Sequence, residues 1–196
     1  MLNCILAGVG GQGIVLASKL IAQTALSSGY NVRTAETIGM AQRGGCVVSH
    51  VRIGQEIHSP LVPYQSANVI IGFEPAEAVR NLAYLKETGT VIASSKAIKP
   101  VTDALSDTDY NGEAMLRYLS SHVQRLIVVD SAAIISASGT AKVLNIALLG
   151  AAVSSGALGF SLADLERTIK EKLPAKFVDM NLQALQTGAQ IALRGA

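Results

Sequence analysis

The sequence predicts an α/β fold with three layers: a mostly parallel, Rossmann-like sheet with an inserted β-hairpin, and a helical C-terminal third. Three observations favour this fold. Short apolar runs that are typical of buried strands alternate with segments of helical periodicity. A glycine-rich turn joins the first apolar run to the first helix. The last third of the chain carries helical periodicity and helix-capping residues.

The first element is the segment LNCILAGVGGQGIVLASKLIA, in which a strand passes through glycines into a helix. The first amides of a helix have no partner within it and lie at the positive end of its dipole, so they stabilise a phosphate that no side chain blocks. Gly8, Gly10 and Gly13 have the spacing of a dinucleotide-binding turn. In such a turn Gly8 would allow the tight turn, Gly10 the close approach of the ligand and Gly13 the packing of the helix against the strand. With Gly11 and Gln12 they form the predicted phosphate site. A tight βα turn without a ligand is the alternative.

The second strand is predicted over residues 31–35, and Glu36 ends it. In a dinucleotide-binding fold an acidic residue at about this point binds the ribose hydroxyl. Glu36 is therefore a candidate cofactor-binding residue.

Strands and helices continue to alternate through the middle of the chain. The predicted elements are strands at 68–72, 90–94 and 125–130, a helix opened by Pro75 that reaches Leu85, and a helix over 113–119. This alternation predicts a mostly parallel sheet with helices on both faces and with ligands at the carboxyl ends of its strands. Asp130 is predicted to be the N-cap of the helix that follows it.

The segment CVVSHVRIGQEIHSP, residues 46–60, interrupts this alternation. Its side chains alternate in polarity on both sides of a Gly-Gln turn, which predicts a β-hairpin that is antiparallel or at an edge of the sheet. Further on, Ser161 and Asp164 have the spacing of a capping box, Pro174 follows the end of that helix, and a last helix covers 178–193.

The composition limits the classes of function. Hydrophobic residues make up 49% of the chain and charged residues 15%, so we expect a partner to cover part of its surface. The net charge of +2 without a basic run predicts no binding of nucleic acid. The two cysteines form no C-x-x-C pair, which predicts no metal or iron–sulfur site and fits a reducing cytoplasm. No secretory signal is visible, and polar residues within AKVLNIALLGAAVSSGALGF predict a buried helix instead of a membrane span.

A second candidate site lies in the segment ETIGMAQRGGCVVSHVRIG. Arg43 precedes Gly44 and Gly45, so a planar guanidinium stands beside open backbone, which suits the binding of a carboxylate or a phosphate. From the residue types alone, a solvated arginine in a surface turn explains the motif equally well.

Four segments together resemble the gamma-type subunits of 2-oxoacid:ferredoxin oxidoreductases, most closely those that act on indolepyruvate: GVGGQGIVLASKLIA, AETIGMAQRGGCVVSHVRIG, IHSPLVP and NIALLGA. The resemblance runs over nearly the whole chain. The blocks GGQG and QRGG at this separation are more specific than either block alone. No linker or repeat divides the chain, and the resemblance implies that residues 1–196 form a single pyruvate/ketoisovalerate oxidoreductase gamma-type catalytic domain.

The resemblance implies a subunit of an enzyme that oxidatively decarboxylates a 2-oxoacid, here indolepyruvate or another arylpyruvate, to an acyl-CoA and passes electrons to ferredoxin. A large alpha subunit is expected to carry thiamine diphosphate, magnesium and the 4Fe-4S clusters, so this chain would be inactive alone. It would cover that active site and hold coenzyme A, with the pyrophosphate at the glycine turn, Gly44 and Gly45 beside it and Arg43 as a catalytic residue. Two alternatives remain: a free-standing NAD(P)- or flavin-dependent oxidoreductase with Glu36 on the ribose, and a non-catalytic nucleotide-sensing module.

Overall fold

A computed structural model describes residues 1–39, 44–99 and 109–194. The strands are β1 Leu2–Val9, β2 Asn31–Ile38, β3 Cys46–Gly54, β4 Ala67–Gly72, β5 Leu85–Ser94 and β6 Arg125–Val129. The helices are α1 Ile14–Ser27, α2 Pro75–Arg80, α3 Glu113–His122, α4 Ser131–Ser138, α5 Leu144–Ser154, α6 Leu162–Lys172 and α7 Ala175–Arg194. The six strands form one sheet in the order β2-β3-β1-β4-β5-β6. The predicted α/β class is confirmed.

The sheet is mixed because β3 runs against its neighbours. β1, β4, β5 and β6 are parallel to one another, whereas β3 is antiparallel to both β1 and β2. The hairpin predicted over 46–60 is therefore wrong in its second strand: residues 55–66, all of them described, form no strand, and β3 pairs with the preceding strand β2. The predicted antiparallel direction is confirmed, but β3 lies inside the sheet instead of at its edge.

Several element ends differ from the predicted ones. β2 runs on to Ile38, so Glu36 lies within the strand and does not end it. The helix that Pro75 opens stops at Arg80, because Leu85 already pairs with Ala67 in the parallel register of β4 and β5. The strand predicted from residue 90 consequently begins earlier, at Leu85.

Helices cover both faces of the sheet and give the predicted three layers. On one face α1, α5, α6 and α7 contribute to the larger core, in which Leu6, Ile71 and Ile92 from the strands are fully buried. On the other face α2 and α3 pack over Ile5 and Ile70, which are equally buried. Burying a side chain of this size contributes about 1.5–3 kcal/mol, so the two cores stabilise the sheet from both sides.

The apolar segment that predicted a buried helix forms α5, whose residues from Leu144 to Val153 are buried, so this prediction is confirmed. Its backbone lies directly against that of α7. A Cβ at Gly150 would lie 2.0 Å from the Leu185 carbonyl oxygen, and one at Gly188 would lie 1.9 Å from the Ala147 carbonyl oxygen. Only glycine fits at either position without moving a helix.

The predicted helix caps are confirmed. The Asp164 N–H donates to Ser161 Oγ at 3.2 Å, and the Ser161 N–H donates to Asp164 Oδ2 at 3.1 Å, which completes the capping box of α6. Asp130 accepts hydrogen bonds from the first amides of α4. Across the described ranges no single helix is long and apolar enough to cross a bilayer, and one pair of helices, Ser131–Ser138 with Ala141–Ser154, bent by 119°, passes that test by length and composition only.

Candidate functional site

The turn between β1 and α1 is closed by the side chain of Gln12. Its Oε1 accepts a hydrogen bond from the Val9 N–H at 2.7 Å, and its Nε2 donates to the Phe73 carbonyl oxygen at 2.7 Å. The Gln12 N–H donates back to the Val9 carbonyl oxygen at 3.2 Å. The side chain therefore ties the turn to the end of β4 and fixes the path of the glycine backbone. Its predicted contact with a ligand stays a prediction.

Two of the predicted glycines make room for packing. A Cβ at Gly8, which lies within β1 and not in the turn, would be 2.6 Å from Gln12 Oε1 and 2.7 Å from Phe73 Cβ. Gly13 caps α1 with a φ of 78°, and a Cβ there would be 2.6 Å from Asn145 Nδ2. The predicted helix–strand packing at Gly13 is thus corrected, because its close neighbour is the helix α5, whose Asn145 amide donates to the Gly13 carbonyl oxygen over 3.4 Å.

The backbone of Gly10 and Gly11 faces a cavity of about 260 Å³, which we call the glycine-turn cavity. A Cβ at Gly11 would meet no atom of the described residues within 4 Å, so space remains above it, and one at Gly10 would be 3.6 Å from the Gly45 carbonyl oxygen. Gly11 has a φ of 95°, a conformation that side-chain-bearing residues rarely adopt. Phe73 and Leu148 add apolar surface to the same cavity.

Two lysines give the glycine-turn cavity its positive charge. Lys96 follows the end of β5, and Lys142 lies in the 3₁₀ turn Ala141–Val143 that precedes α5. Their cationic side chains can bind an anion such as a phosphate. The sequence analysis missed both lysines. The position of Lys96 directly after a parallel strand could have revealed it, since ligands bind at that edge of such sheets.

The second glycine block lies directly against the first. The Gly10 N–H donates to the Gly45 carbonyl oxygen at 2.9 Å, and the Gly39 N–H donates to the Cys46 carbonyl oxygen at 2.8 Å. Gly44 has a φ of 74°, which again favours glycine. The two motifs predicted as separate candidates therefore meet at the carboxyl edge of the sheet. Arg43, the predicted catalytic residue, lies outside the described residues.

A second cavity, of about 420 Å³, opens beside the first; we call it the Glu74 cavity. Val9, Cys46 and Ile98 contribute to its lining, together with Glu74, which follows β4. Glu74 is only 2% exposed and accepts hydrogen bonds from the Glu77 N–H at 3.1 Å and from the Tyr110 hydroxyl. Its carboxylate is therefore held in place from two sides.

Burial raises the pKa of two ionisable groups that line the Glu74 cavity, Glu77 and Tyr110. Burial raises the pKa of Glu77, the Arg80 guanidinium that donates to it opposes this rise, and the Glu74 carboxylate adds to it. Burial and the hydrogen bond to Glu74 raise the pKa of Tyr110, so its phenol keeps the proton that it donates. The sequence analysis missed these residues because Glu74 and Tyr110 are 36 positions apart. The position of Glu74 just after β4 was the available signal.

Glu36 lies apart from both cavities. Because β3 lies between β2 and β1, Glu36 is one strand spacing, about 4.8 Å, farther from β1 than in a sheet where β2 and β1 are neighbours. Its Oε1 accepts a hydrogen bond from Ser18 Oγ of α1 at 3.1 Å. Glu36 does not occur among the described lining residues of either cavity. Its predicted contact with a ribose stays a prediction.

Known proteins are similar to this chain in sequence and in fold. The family model described as pyruvate ferredoxin/flavodoxin oxidoreductase matches residues 3–191. The chain is 37% identical over 195 residues to the indolepyruvate oxidoreductase subunit IorB of Archaeoglobus fulgidus, an alignment that covers 99% of this chain and 96% of that protein.

Two solved structures have the same fold. The gamma subunit of the keto/oxoacid ferredoxin oxidoreductase from Geobacter sulfurreducens matches with a TM-score of 0.72 at 22% identity, over 99% of both chains. The 2-oxoglutarate:ferredoxin oxidoreductase from Magnetococcus marinus, solved with 2-oxoglutarate, coenzyme A and succinyl-CoA bound, matches with a TM-score of 0.73 at 19% identity. This match covers 100% of the present chain and 32% of that one.

Proposed function

Since the chain belongs to the pyruvate ferredoxin/flavodoxin oxidoreductase family and is a subunit of a 2-oxoacid:ferredoxin oxidoreductase, we propose that its complex oxidises indolepyruvate or another arylpyruvate and that this subunit holds coenzyme A. Membership of the family was predicted from the quoted motifs and is confirmed. The arylpyruvate substrate is supported by the identity to the IorB subunit of Archaeoglobus fulgidus.

The observation that carries the coenzyme A assignment is the open backbone of Gly10 and Gly11 in one cavity with Lys96 and Lys142. Coenzyme A carries a pyrophosphate and a further phosphate on its ribose, so it needs several donors and positive charges at one place. The helix start supplies the donors and the two lysines supply the charges. Among the described residues nothing lies within 4 Å of a Cβ at Gly11, which leaves space for a pyrophosphate.

The residues of this chain bind and orient a substrate, while the redox chemistry belongs to cofactors elsewhere in the complex. We assign thiamine diphosphate, magnesium and the 4Fe-4S clusters to a large alpha subunit, where they supply decarboxylation and electron transfer to ferredoxin. The present chain contributes the glycine turn, Gly44 and Gly45 to the coenzyme. We assign Arg43 to the active site as a catalytic residue, because it precedes this glycine pair.

We also propose that residues 1–196 form one gamma-type domain and that the complex is cytoplasmic. The single domain is supported by the contacts of α7 with α5 and β6, which join the C-terminal helix to the core of the sheet. The cytoplasmic location is supported by the use of only two cysteines, neither of them in a C-x-x-C pair.

The complex itself provides the test of this function. The chain is purified with and without a tagged alpha subunit, and reduction of ferredoxin is followed with indolepyruvate and coenzyme A. We expect activity only in the assembled complex and only when coenzyme A is present. Oxidation of indolepyruvate by the chain alone, or activity that depends on bound NAD, would contradict the proposal.

The lysines provide a second test, by calorimetric titration of the assembled complex with coenzyme A. Each charge-assisted contact contributes about 1.5–3 kcal/mol when desolvated and less when exposed. Lys142 is exposed, so we expect Lys142→Ala to weaken binding by roughly three- to tenfold, with the larger loss at low salt. Lys170→Ala, at an exposed lysine of α6, is the matched control and should leave the affinity unchanged. If the Lys142→Ala and Lys170→Ala complexes bind coenzyme A with equal affinity, Lys142 does not contribute to the binding site.

A further inference from the structure

The two cavities adjoin at three points of the carboxyl edge. Val9 lines the Glu74 cavity and Gly10, the next residue, lines the glycine-turn cavity. In the same way Glu74 lines one cavity and Phe73 the other, and Ile98 lines both. The two cavities therefore lie side by side along this edge.

The two cavities differ in the groups that they offer to a ligand. The glycine-turn cavity presents two lysines and the glycine backbone, which suit an anion. The Glu74 cavity presents two buried carboxyl groups, those of Glu74 and Glu77, beside the apolar atoms of Val9 and Ile98. Its lining also includes two cations, but Arg80 pairs with Glu77 and Lys99 pairs with Asp109, so this side attracts a phosphate less than the glycine-turn cavity does.

The Glu74 cavity can nevertheless accept hydrogen bonds. An ionised carboxylate has about four acceptor positions, and the two contacts of Glu74, from the Glu77 N–H and the Tyr110 hydroxyl, occupy only part of them. An apolar wall beside such acceptors favours an uncharged chain that carries amide N–H or hydroxyl donors. The volume of about 420 Å³ lies within the range of ordinary ligand sites.

We propose that the Glu74 cavity binds the uncharged, amide-bearing pantetheine arm of coenzyme A while the phosphates lie in the glycine-turn cavity. This inference rests on the proposed function, since it presupposes that coenzyme A is the ligand. It assigns to Glu74 and Tyr110 a binding site for a class of group, secondary amides and hydroxyls, that differs from the phosphates bound at the glycines.

The test compares coenzyme A with its fragment adenosine 3′-phosphate 5′-diphosphate, which keeps the phosphates and lacks the arm. Two variants fill the Glu74 cavity from different walls: Ala76→Phe from α2, and Cys46→Phe from the start of β3, where the side chain is exposed and a larger one is tolerated. Ala114→Phe, at an exposed alanine of α3, is the matched control. Dissociation constants are measured by calorimetry on the assembled complex.

In the wild-type complex we expect coenzyme A to bind at least about tenfold more tightly than the fragment, equivalent to about 1.4 kcal/mol. In each cavity-filling variant the affinity for coenzyme A should fall toward that for the fragment, and the affinity for the fragment should stay unchanged. Ala114→Phe should change neither affinity. Equal wild-type affinities for the two ligands, unchanged coenzyme A binding in Cys46→Phe, or loss of fragment binding in that variant would each overturn the inference. A wild-type complex that is active without binding coenzyme A would instead overturn the proposed function.

Discussion

The two cavities at the carboxyl edge of the sheet are built by different means. The glycine-turn cavity includes open backbone at Gly11, and its charges come from Lys96 and Lys142. The Glu74 cavity is made from side chains that hydrogen bonds hold in place, above all Glu74 and Tyr110.

This difference separates binding from stability. Truncating Lys142 at the glycine-turn cavity should cost affinity and leave the fold intact, because this side chain is exposed. Removing a group from the Glu74 cavity should also cost folding free energy, because a buried donor or acceptor then loses its partner. A Lys142 variant should therefore lose affinity and keep its stability, whereas variants of the Glu74 cavity should lose both.

The largest effect is expected at Arg43. The next residue, Gly44, lines the Glu74 cavity, and the carbonyl oxygen of Gly45 accepts a hydrogen bond from the Gly10 N–H. A lost charge-assisted hydrogen bond costs about 1.5–3 kcal/mol, roughly ten- to a hundredfold in kcat/KM. We expect this loss in Arg43→Ala, and little rescue in Arg43→Lys if the guanidinium binds with two parallel hydrogen bonds. The measurement is kcat/KM for coenzyme A and for the arylpyruvate.

The control for Arg43 is Arg117→Ala, at an exposed arginine of α3 that pairs with Glu113. Wild-type values for both substrates in both Arg43 variants would make Arg43 a solvated surface residue. A loss confined to coenzyme A would assign Arg43 to the cavities, and a loss confined to the arylpyruvate would assign it to the active site of the complex.

The next effect is expected at Gly10, where a side chain has room in the protein but not beside a ligand. The Cβ of Gly10→Val would have its nearest neighbour at 3.6 Å, so the fold and the assembly of the complex should be retained. The side chain would point toward the Gly45 carbonyl oxygen and the Gly44 N–H, between the two glycine blocks, and KM for coenzyme A should rise by about tenfold or more. Unchanged coenzyme A dependence in a correctly assembled complex would place the phosphates elsewhere.

Substitution of Glu74 should instead lower the stability of the chain. Glu74→Ala removes the acceptor of the Glu77 N–H and of the Tyr110 hydroxyl, so the free energy of unfolding should fall by about 1–3 kcal/mol. Glu74→Gln keeps one acceptor oxygen and should lose less. Chemical denaturation of the chain measures both, with Glu171→Ala on the exposed side of α6 as the control. A Glu74→Ala chain as stable as wild type would show that the Glu74 cavity does not depend on its side chains.

The same contrast explains what the sequence could predict. The glycine turn was predictable because the passage from a strand through glycines into a helix is encoded in a few consecutive residues, from Gly8 to Gly13. Gln12 was predicted with it, although its side chain closes the turn through Phe73, a residue 61 positions away. The lysines and the Glu74–Tyr110 pair come together only through the order of the strands, which local patterns do not specify.

β3 shows the same limit at the level of the fold. Its alternating polarity predicted a strand with two different faces, and both the strand and its antiparallel direction are correct. The pattern could not say whether the neighbour comes before or after it in the chain. The structure pairs β3 with β2 and β1, and this insertion also separates Glu36 from the glycine turn. The prediction for Glu36 took the order of strands from a simple Rossmann fold, in which the second strand lies beside the first, and its ribose contact stays a prediction.

The smallest expected effect concerns pH, and it belongs to the Glu74 cavity alone because no carboxylate occurs among the described residues that line the glycine-turn cavity. Burial raises the pKa of Glu77 above its ordinary value of 4.5. Below pH 4.5 the folded and unfolded chains both hold this proton. Above it the unfolded chain loses the proton first, so the contribution of Glu77 to stability falls as the pH rises through its folded pKa.

Glu77→Gln keeps the shape of the side chain and cannot titrate. We therefore expect the free energy of unfolding of the wild-type chain to fall relative to that of Glu77→Gln as the pH is raised from 4.5 toward neutrality. Lys142→Ala, in the other cavity, should follow the wild-type curve over the same range. If wild type instead gains stability relative to Glu77→Gln as the pH rises, the ion pair with Arg80 outweighs the burial of Glu77. In that case the Arg80 guanidinium, and not burial, has the larger influence on the pKa of Glu77.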